Sequence, residues 1–352
     1  MNNEIEEKLI STFGGDLQRN VPLSSYSSIG VGGPANYFYV ANNIDSLVKA
    51  VTTSFELNIP YIILGGGYNI VPSDLGYEGL VVKNECGNIA FSGDTSEVII
   101  DSGVPLGKLI NLAASRDLGG LEFLYGIPGT VGGAVYGNAG AFNYEIGDFV
   151  KSVIMLTPKM GKMTIVKKDN SWFNFSYRNS KLKNEFIGDN FRPIILTVKL
   201  QLVRRRRDEI IGFMQQNLIK KQQSQPLSEK SAGSFFKNPA GGAEGSAGFL
   251  LDQAGSKKIK FGGAAFSKKH ANFLINKKNA TANDIKSLAE KAKSLVKDKF
   301  NKNLEEEIEN GGHIIPFLLF FSVLVTKKGT NSFTSLSRLL NLRKISPFET
   351  KS

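Results

Sequence analysis

The sequence predicts an α+β fold, and three observations carry that expectation. Helical and strand-like apolar patterns alternate through the first half of the chain. Apolar runs between Val153 and Val203 then read as half-exposed antiparallel strands. Past Arg204 the chain turns to helical spacing interrupted by stretches of small residues, which marks a second domain.

The elements follow in order. Met1–Leu9 is acidic and amphipathic, with no basic stretch leading into an apolar one, so no secretory signal peptide is expected. Ile44, Leu47, Val48, Val51 and Phe55 keep helical spacing. Pro60 then precedes the strand-like run Tyr61–Leu64, which leads straight into Gly65-Gly66-Gly67-Tyr68-Asn69. Glycines in such a loop permit positive φ and bring backbone N–H groups close to a ligand. Short strands are expected at Leu80–Val82 and Val98–Ile100, then a helix through Leu106, Leu109, Ile110 and Ala113.

Gly119 to Gly140 is too rich in glycine for one regular helix. It contains Gly126-Ile127-Pro128-Gly129-Thr130-Val131-Gly132-Gly133-Ala134 and then Asn138-Ala139-Gly140. Strands are expected at Val153–Leu156, Met163–Val166 and Ile194–Val203, the last with Ile194, Leu196, Val198, Leu200 and Leu202 on one face. A helix over Asp208–Lys220 should bury Ile211, Met214 and Leu218. A strong helix carries Ile285, Leu288, Ala289, Ala292, Leu295 and Val296, and Thr281 with Asp284 reads as the capping box that starts it. Ile314–Val325 is almost wholly apolar but falls well short of the ~20 residues that span a bilayer, so no stable membrane insertion is expected.

Charge and composition limit the function classes. The net charge of +11 favours polyanionic partners such as nucleotides, anionic lipid or nucleic acid. Residues 313–352 hold six Lys/Arg against Glu349 alone, which concentrates that excess. Arg204–Arg207 reads as a solvated run, without the interleaved aromatics of single-strand binders. The lone Cys86 excludes a disulfide framework, and His270 and His313 are too few for a His/Cys metal centre. A reducing cytoplasm fits this usage. On their own the glycine loops are equally compatible with structural turns. Gly65–Asn69 has neither Gly-x-Gly-x-x-Gly nor Gly-Lys-Ser/Thr spacing.

The ordered motifs resemble a known family. Ser28-Ile29-Gly30-Val31-Gly32-Gly33-Pro34-Ala35, Leu64–Asn69 and Leu121–Gly133 are similar to the UDP-N-acetylenolpyruvoylglucosamine reductases. Tyr177-Arg178-Asn179-Ser180, Gly233–Pro239, Ala247–Gly255 and Leu304–Ile308 continue the likeness, which covers roughly residues 20–312. The resemblance implies a vanillyl-alcohol-oxidase-type FAD-binding region of two α/β subdomains plus a smaller C-terminal α+β substrate domain. Its boundaries would be an N-terminal leader at 1–20, the FAD region at 21–203, the substrate domain at 204–312 and an extension at 313–352.

It further implies that NADPH reduces FAD, and that reduced FAD passes a hydride to UDP-N-acetylglucosamine enolpyruvate, giving UDP-N-acetylmuramate for peptidoglycan. By the same resemblance Arg178 stabilises the developing enolate, Ser234 donates the proton and Glu307 sits by the substrate carboxylate. The rival reading takes Glu305, Glu306 and Glu307 together as a solvated acidic run; Glu307 is preferred because it precedes Ile308 as the family's glutamate precedes an aliphatic residue. Tyr177, Lys237, Asn238 and His270 match substrate-side positions, although for His270 a hydrogen-bonded surface histidine is an equal alternative. The flavin contacts would be Gly65, Gly66, Gly67, Tyr68 and Asn69, together with Gly126, Ile127, Pro128, Gly129, Thr130, Gly133 and Ala134. No metal and no nucleic acid is implied.

Four departures stand out. Tyr68 replaces a usual serine, Asn143 a glycine and Glu306 a proline, while Lys220 and Lys221 lie where arginine is typical. Two rivals remain: another FAD-dependent oxidoreductase of the same binding class, and a cofactor-free basic protein that binds nucleic acid or other anions. The first should lack the pairing of Gly233–Pro239 with Leu304–Ile308; the second should be colourless and bind DNA with a steep salt dependence.

Overall fold

The computed structural model describes residues 3–185, 191–239 and 244–310. A four-stranded sheet forms first, in the order Gln18–Pro22, Pro34–Ala41, Tyr77–Asn84, Tyr61–Leu64. Its first pair is antiparallel and the other two are parallel. Helix Ile44–Glu56 carries the chain from Pro34–Ala41 across to Tyr61–Leu64, which lies on the far side of Tyr77–Asn84. Asn43 and Ser46 form its capping box. Leu80, Val81 and Val82, the expected short strand, lie at the centre of the longer one and are fully buried, as a strand covered on both faces requires. Helix Asn3–Phe13 docks through Leu9 and Phe13 onto the same core as Tyr39, Leu47 and Val51.

The second sheet is antiparallel throughout, in the order Lys162–Asp169, Val150–Lys159, Ile194–Gln201, Glu97–Asp101, Ile89–Phe91. Val198 and Leu200 of the expected alternating strand are buried, whereas Thr197, Lys199 and Gln201 are only partly covered. Helix Leu106–Ala114 and the short helix Val131–Tyr136 pack Leu109 and Val135 on this core. The glycine-rich stretch breaks into short pieces, as its composition demands.

Helix Arg207–Ser224 is longer than the spacing suggests, and its buried side chains are Ile210, Met214 and Lys221. Ile211 and Leu218, expected on the buried face, are only half-buried. The helix meets the second sheet's core one residue further round, with Ile210 and Met214 in contact with it. By packing, therefore, this helix belongs with the preceding core. Arg204–Arg207 is not simply a solvated run: Arg205 lies 2.9 Å from the buried Glu122, which also accepts the Gly120 N–H at 2.7 Å.

The C-terminal part combines strands Lys260–Phe261, Ala264–Phe266 and Leu274–Asn276 with helices Ala247–Gln253 and Ala282–Phe300. The expected Thr281/Asp284 capping box is formed, a device whose loss costs about 1 kcal/mol. Ile285, Leu288, Ala289, Ala292 and Val296 are buried, while Leu295 is half-buried. Phe235 and Phe236, each 1% exposed, enter this core beside Ile29, Val31 and Val71 of the N-terminal region. Burying each aromatic contributes about 1.5–3 kcal/mol. Among the described residues no helix is long and apolar enough to cross a membrane, and no group of His, Cys, Asp and Glu could hold a metal ion. The apolar run at Ile314–Val325 and His313 lie outside the described residues, as do 240–243.

Candidate active site

Strand Tyr61–Leu64 delivers the chain into the first glycine loop. Gly67 adopts φ +73° and its carbonyl accepts the Ser28 N–H at 2.9 Å. A Cβ there would stand 1.9 Å from the Tyr26 carbonyl, so only glycine fits. A Cβ on Gly65 would meet Thr130 Oγ1 at 2.7 Å, and one on Gly66 would lie 3.3 Å from the Gly129 Cα. The two loops expected to hold the flavin are therefore stacked against each other. Lys83 Nζ donates to the Gly65 carbonyl at 2.6 Å.

The second loop is tied to the antiparallel core by Val131 N–H to the Val104 carbonyl and Gly132 N–H to the Ser102 carbonyl. Thr130 caps the following helix by accepting the Gly133 N–H. Gly129 has φ +134° and no heavy atom within 4 Å of its Cβ position, so this backbone edge faces open space. Gly126 and Pro128 are exposed, and Ile127 is partly so. Ala134 differs: its side chain is in the core and its N–H is spent on the Thr130 carbonyl. Tyr68 lays its ring over Gly66 and stays 43% exposed. A backbone-lined, glycine-rich cradle of this kind suits a pyrophosphate-bearing cofactor.

Arg178 sits in a tight turn in which Ser176 and Asn179 exchange backbone hydrogen bonds. Its φ of +54° is left-handed for a non-glycine residue, a strained conformation of the kind that gathers at functional sites. Ser180, fully buried, anchors the turn by donating to the Tyr136 carbonyl at 2.6 Å. Arg178 Nη2 donates to the Gly140 carbonyl at 2.7 Å and Nε lies 2.8 Å from Glu307 Oε1. Its Nη1 makes no hydrogen bond among the described residues. Buried Asn138 braces the same corner, donating to the Ser176 carbonyl and accepting the Gly147 N–H.

Glu307 arrives on a segment paired on both sides. Its N–H donates to the Phe235 carbonyl, and the Lys237 N–H donates to the Glu305 carbonyl. Beyond it, Glu309–Asn310 pairs in parallel with Ile70–Val71. Burial raises the Glu307 pKa, and the positive charges of Arg178, Lys183 and Lys237 pull part of it back. The carboxyl therefore holds its proton to higher pH than an ordinary glutamate. Phe236 bridges Glu306, so Ser234 stands at the register position opposite Ile308. Gly233 at φ +90° turns the chain just ahead of it. The Ser234 hydroxyl makes no hydrogen bond among the described residues. Arg178, Glu307 and the Ser234 backbone are thus brought into one neighbourhood.

The neighbouring glutamates have other duties: Glu305 pairs with Lys237, and Glu306 lies 2.5 Å from Lys293. Tyr177 Oη accepts the Asn238 N–H at 3.4 Å, and its ring carries the Arg178 guanidinium 5.1 Å from its centroid. Asn238 Oδ1 accepts the Ala247 N–H at 3.0 Å. His270 accepts the Asn272 N–H on Nδ1 and meets the Phe273 ring edge-on at 5.0 Å. Burial first, and Lys257 second, lower its pKa. These are internal packing and hydrogen-bonding contacts. Sequence reasoning passed over Asn272, 3% exposed, whose side chain clamps both the N–H and the carbonyl of Phe236. It also passed over Lys183. A lone asparagine and one lysine in a lysine-rich turn carry no pattern that would single them out.

Comparison with known proteins decides the family. The reductase of Anoxybacillus flavithermus is 36% identical over 306 residues, 87% of this chain and 98% of that protein. The chain belongs to the UDP-N-acetylenolpyruvoylglucosamine reductase family. Within that family, the Clostridium novyi reductase is 39% identical over 83% of this chain and 91% of its own. The reductase family's C-terminal domain model matches residues 225–310, and a model of an FAD binding domain matches 35–167. The crystal structure of the Thermus caldophilus reductase covers 84% of this chain and 99% of that one, with TM-score 0.69 and 31% identity.

Proposed function

We propose that this chain is an FAD-dependent reductase that converts UDP-N-acetylglucosamine enolpyruvate to UDP-N-acetylmuramate, with NADPH as the electron source. The observation that carries this reading is the Arg178–Glu307 contact at 2.8 Å, formed across 129 positions of sequence beside a glycine-rich cradle. The backbone of Gly65–Asn69 and Gly126–Gly133 would hold FAD, which would supply hydride transfer between NADPH and the vinyl CH₂ carbon. The chain's own residues handle the charge that this transfer creates.

Hydride addition leaves carbanion character on the carbon bearing the carboxylate and the ether oxygen. Arg178 holds the substrate carboxylate with the guanidinium edge that Glu307 and Gly140 leave open, and so stabilises the enolate. Glu307, whose protonated form burial favours, donates a hydrogen bond to the same enolate oxygens. Ser234 Oγ, with no hydrogen-bond partner among the described residues, gives its proton to the carbanionic carbon and is reprotonated from solvent. Tyr177, Lys237 and Asn238 border the sugar-nucleotide, and His270 supports the wall behind them. With its single, buried Cys86 the chain suits the reducing cytoplasm, where NADPH is found.

An anaerobic experiment tests the reading. NADPH should bleach the yellow of the FAD-loaded chain, and the enolpyruvyl sugar should restore it with one product formed per flavin. A colourless chain that takes up no FAD overturns the flavin assignment. Bleaching without recovery overturns the substrate.

A further inference from the structure

Both cations that grip Glu307 come from one short span, Arg178 to Lys183. Arg178 takes the carboxyl through Nε at 2.8 Å. Lys183 takes the peptide: its Nζ donates to the Glu307 carbonyl at 3.3 Å, and it lies 2.9 Å from Glu309 Oε1. The Glu309 contact is a charge contact rather than an aligned hydrogen bond, since Oε1 is buried without a hydrogen-bond partner. Lys183 is itself well covered, with 15% of its side chain exposed. A third donor completes the arrangement. Asn69 Nδ2, at the end of the first glycine loop, donates to the same Glu307 carbonyl at 3.3 Å, and its carbonyl accepts the Glu309 N–H at 3.0 Å.

A charged side chain this well covered is costly to desolvate unless it is well used. Here it does not meet the nearest catalytic carboxyl. It instead holds the peptide beneath that carboxyl and the acidic side chain two positions on. That geometry fixes the height and rotation of the segment, and with it the point at which Glu307 meets Arg178.

We propose that Lys183 is a positioning residue for this reaction: it locks the Glu307–Glu309 segment against the Arg178 turn and the first glycine loop, so that the Glu307 carboxyl is presented to substrate. The inference rests on the reductase reading above. A one-ångström misplacement of a catalytic group costs on the order of 100-fold in rate, so the lock has room to matter. The charges facing Glu307 are Arg178 and Lys183 from the turn, Lys237 from the Phe235–Lys237 side, and Glu305, Glu306 and Glu309 from its own segment. Removing the Lys183 charge raises the Glu307 pKa further, because that charge now lowers it.

The test uses the FAD-loaded full chain and compares wild type with Lys183→Met, Lys183→Arg and Glu309→Gln. Flavin bleaching by NADPH should be unchanged in all of them, since that half-reaction does not call on Glu307. Reoxidation by the enolpyruvyl sugar should fall on the order of 10- to 100-fold in Lys183→Met, and Lys183→Arg should recover most of it. Glu309→Gln, which keeps the bond to the Glu307 carbonyl, should lose less. The direct readout is the infrared carboxyl band that disappears in Glu307→Gln. In Lys183→Met it should persist to higher pH than in wild type. Equal reoxidation rates and an unmoved band in Lys183→Met overturn the positioning role while leaving the reductase intact. A Lys183→Met chain that fails to fold transfers the decision to Glu309→Gln and Lys183→Arg, where wild-type rates with an unmoved band likewise overturn it. A wild type that bleaches but is never reoxidised by the sugar overturns the reaction, and the role of Lys183 with it.

Discussion

In the proposed mechanism Glu307 is the residue whose protonation matters most. Its folded pKa is raised above the ordinary glutamate value near 4.5, chiefly by burial. A raised pKa means that the folded state binds the proton more tightly, so its stabilising contribution is complete below about 4.5 and fades as pH climbs through the raised value. Wild type should thus lose stability relative to Glu307→Gln as pH rises through that window. Thermal unfolding of both chains over a pH series measures this, and a pH-independent difference would contradict it. Ser234 calls for a different test, because its hydroxyl makes no hydrogen bond among the described residues and should move a proton rather than hold structure. Ser234→Ala should keep FAD and its bleaching by NADPH while product formation falls roughly 100- to 10,000-fold; turnover at the wild-type rate would remove Ser234 from the mechanism. Asn272 is structural by the same logic, since it clamps both sides of Phe236. Its replacement by alanine leaves two buried backbone groups unpaired and should cost about 1–3 kcal/mol in denaturant unfolding.

The glycine loops show what an element contributes when side chains contribute little. Gly67→Ala would force a Cβ to 1.9 Å from the Tyr26 carbonyl in a left-handed conformation. The loop would have to move, and FAD uptake, followed by flavin fluorescence quenching, should be lost or weakened at least tenfold. Unaltered FAD binding in that variant would show that the loop does not form the cradle. The helix behind the second loop buries Lys221, whose ammonium donates to the Tyr125 carbonyl at 2.5 Å and whose pKa is pushed down to about 8 by burial. A depressed lysine pKa means the folded state releases its proton early, so folding is penalised below about 8 and the penalty lifts as pH rises towards 10.5. Stability of wild type should therefore improve relative to Lys221→Met across that interval. These same elements show why part of the structure could be read in advance. Tyr61–Leu64, Ile44–Glu56 and the Thr281 cap follow from local periodicity and cap chemistry, and the loop positions follow from their glycines. The buried face of Arg207–Ser224 did not follow, because it includes a lysine where an apolar residue would be sought. Nor did Lys183 and Asn272, whose importance comes from partners 124 and 36 positions away.

At the scale of the whole molecule, the described structure closes on itself before the chain runs out. Glu309–Asn310 pairs with Ile70–Val71, and Ile308 enters the core that also holds Phe235 and Leu288. The family likeness ends near the same place, since the C-terminal domain model stops at 310. Residues 313–352 carry six of the basic residues against one glutamate, so five of the eleven net positive charges follow residue 312 in the sequence. Charge and chemistry are therefore separable along this sequence. A chain of residues 1–312 should take up FAD with unchanged affinity and reduce the enolpyruvyl sugar at the full-length rate, because every residue assigned to cradle, Arg178 turn and Glu307 segment is retained. The same truncation should weaken retention on a polyanion such as heparin, with a shallower dependence on salt, because fewer cations remain to release counterions. Loss of flavin or of turnover in the truncated chain would show that the segment after Gly312 completes the site, and unchanged heparin retention would show that the excess charge acts from the fold itself.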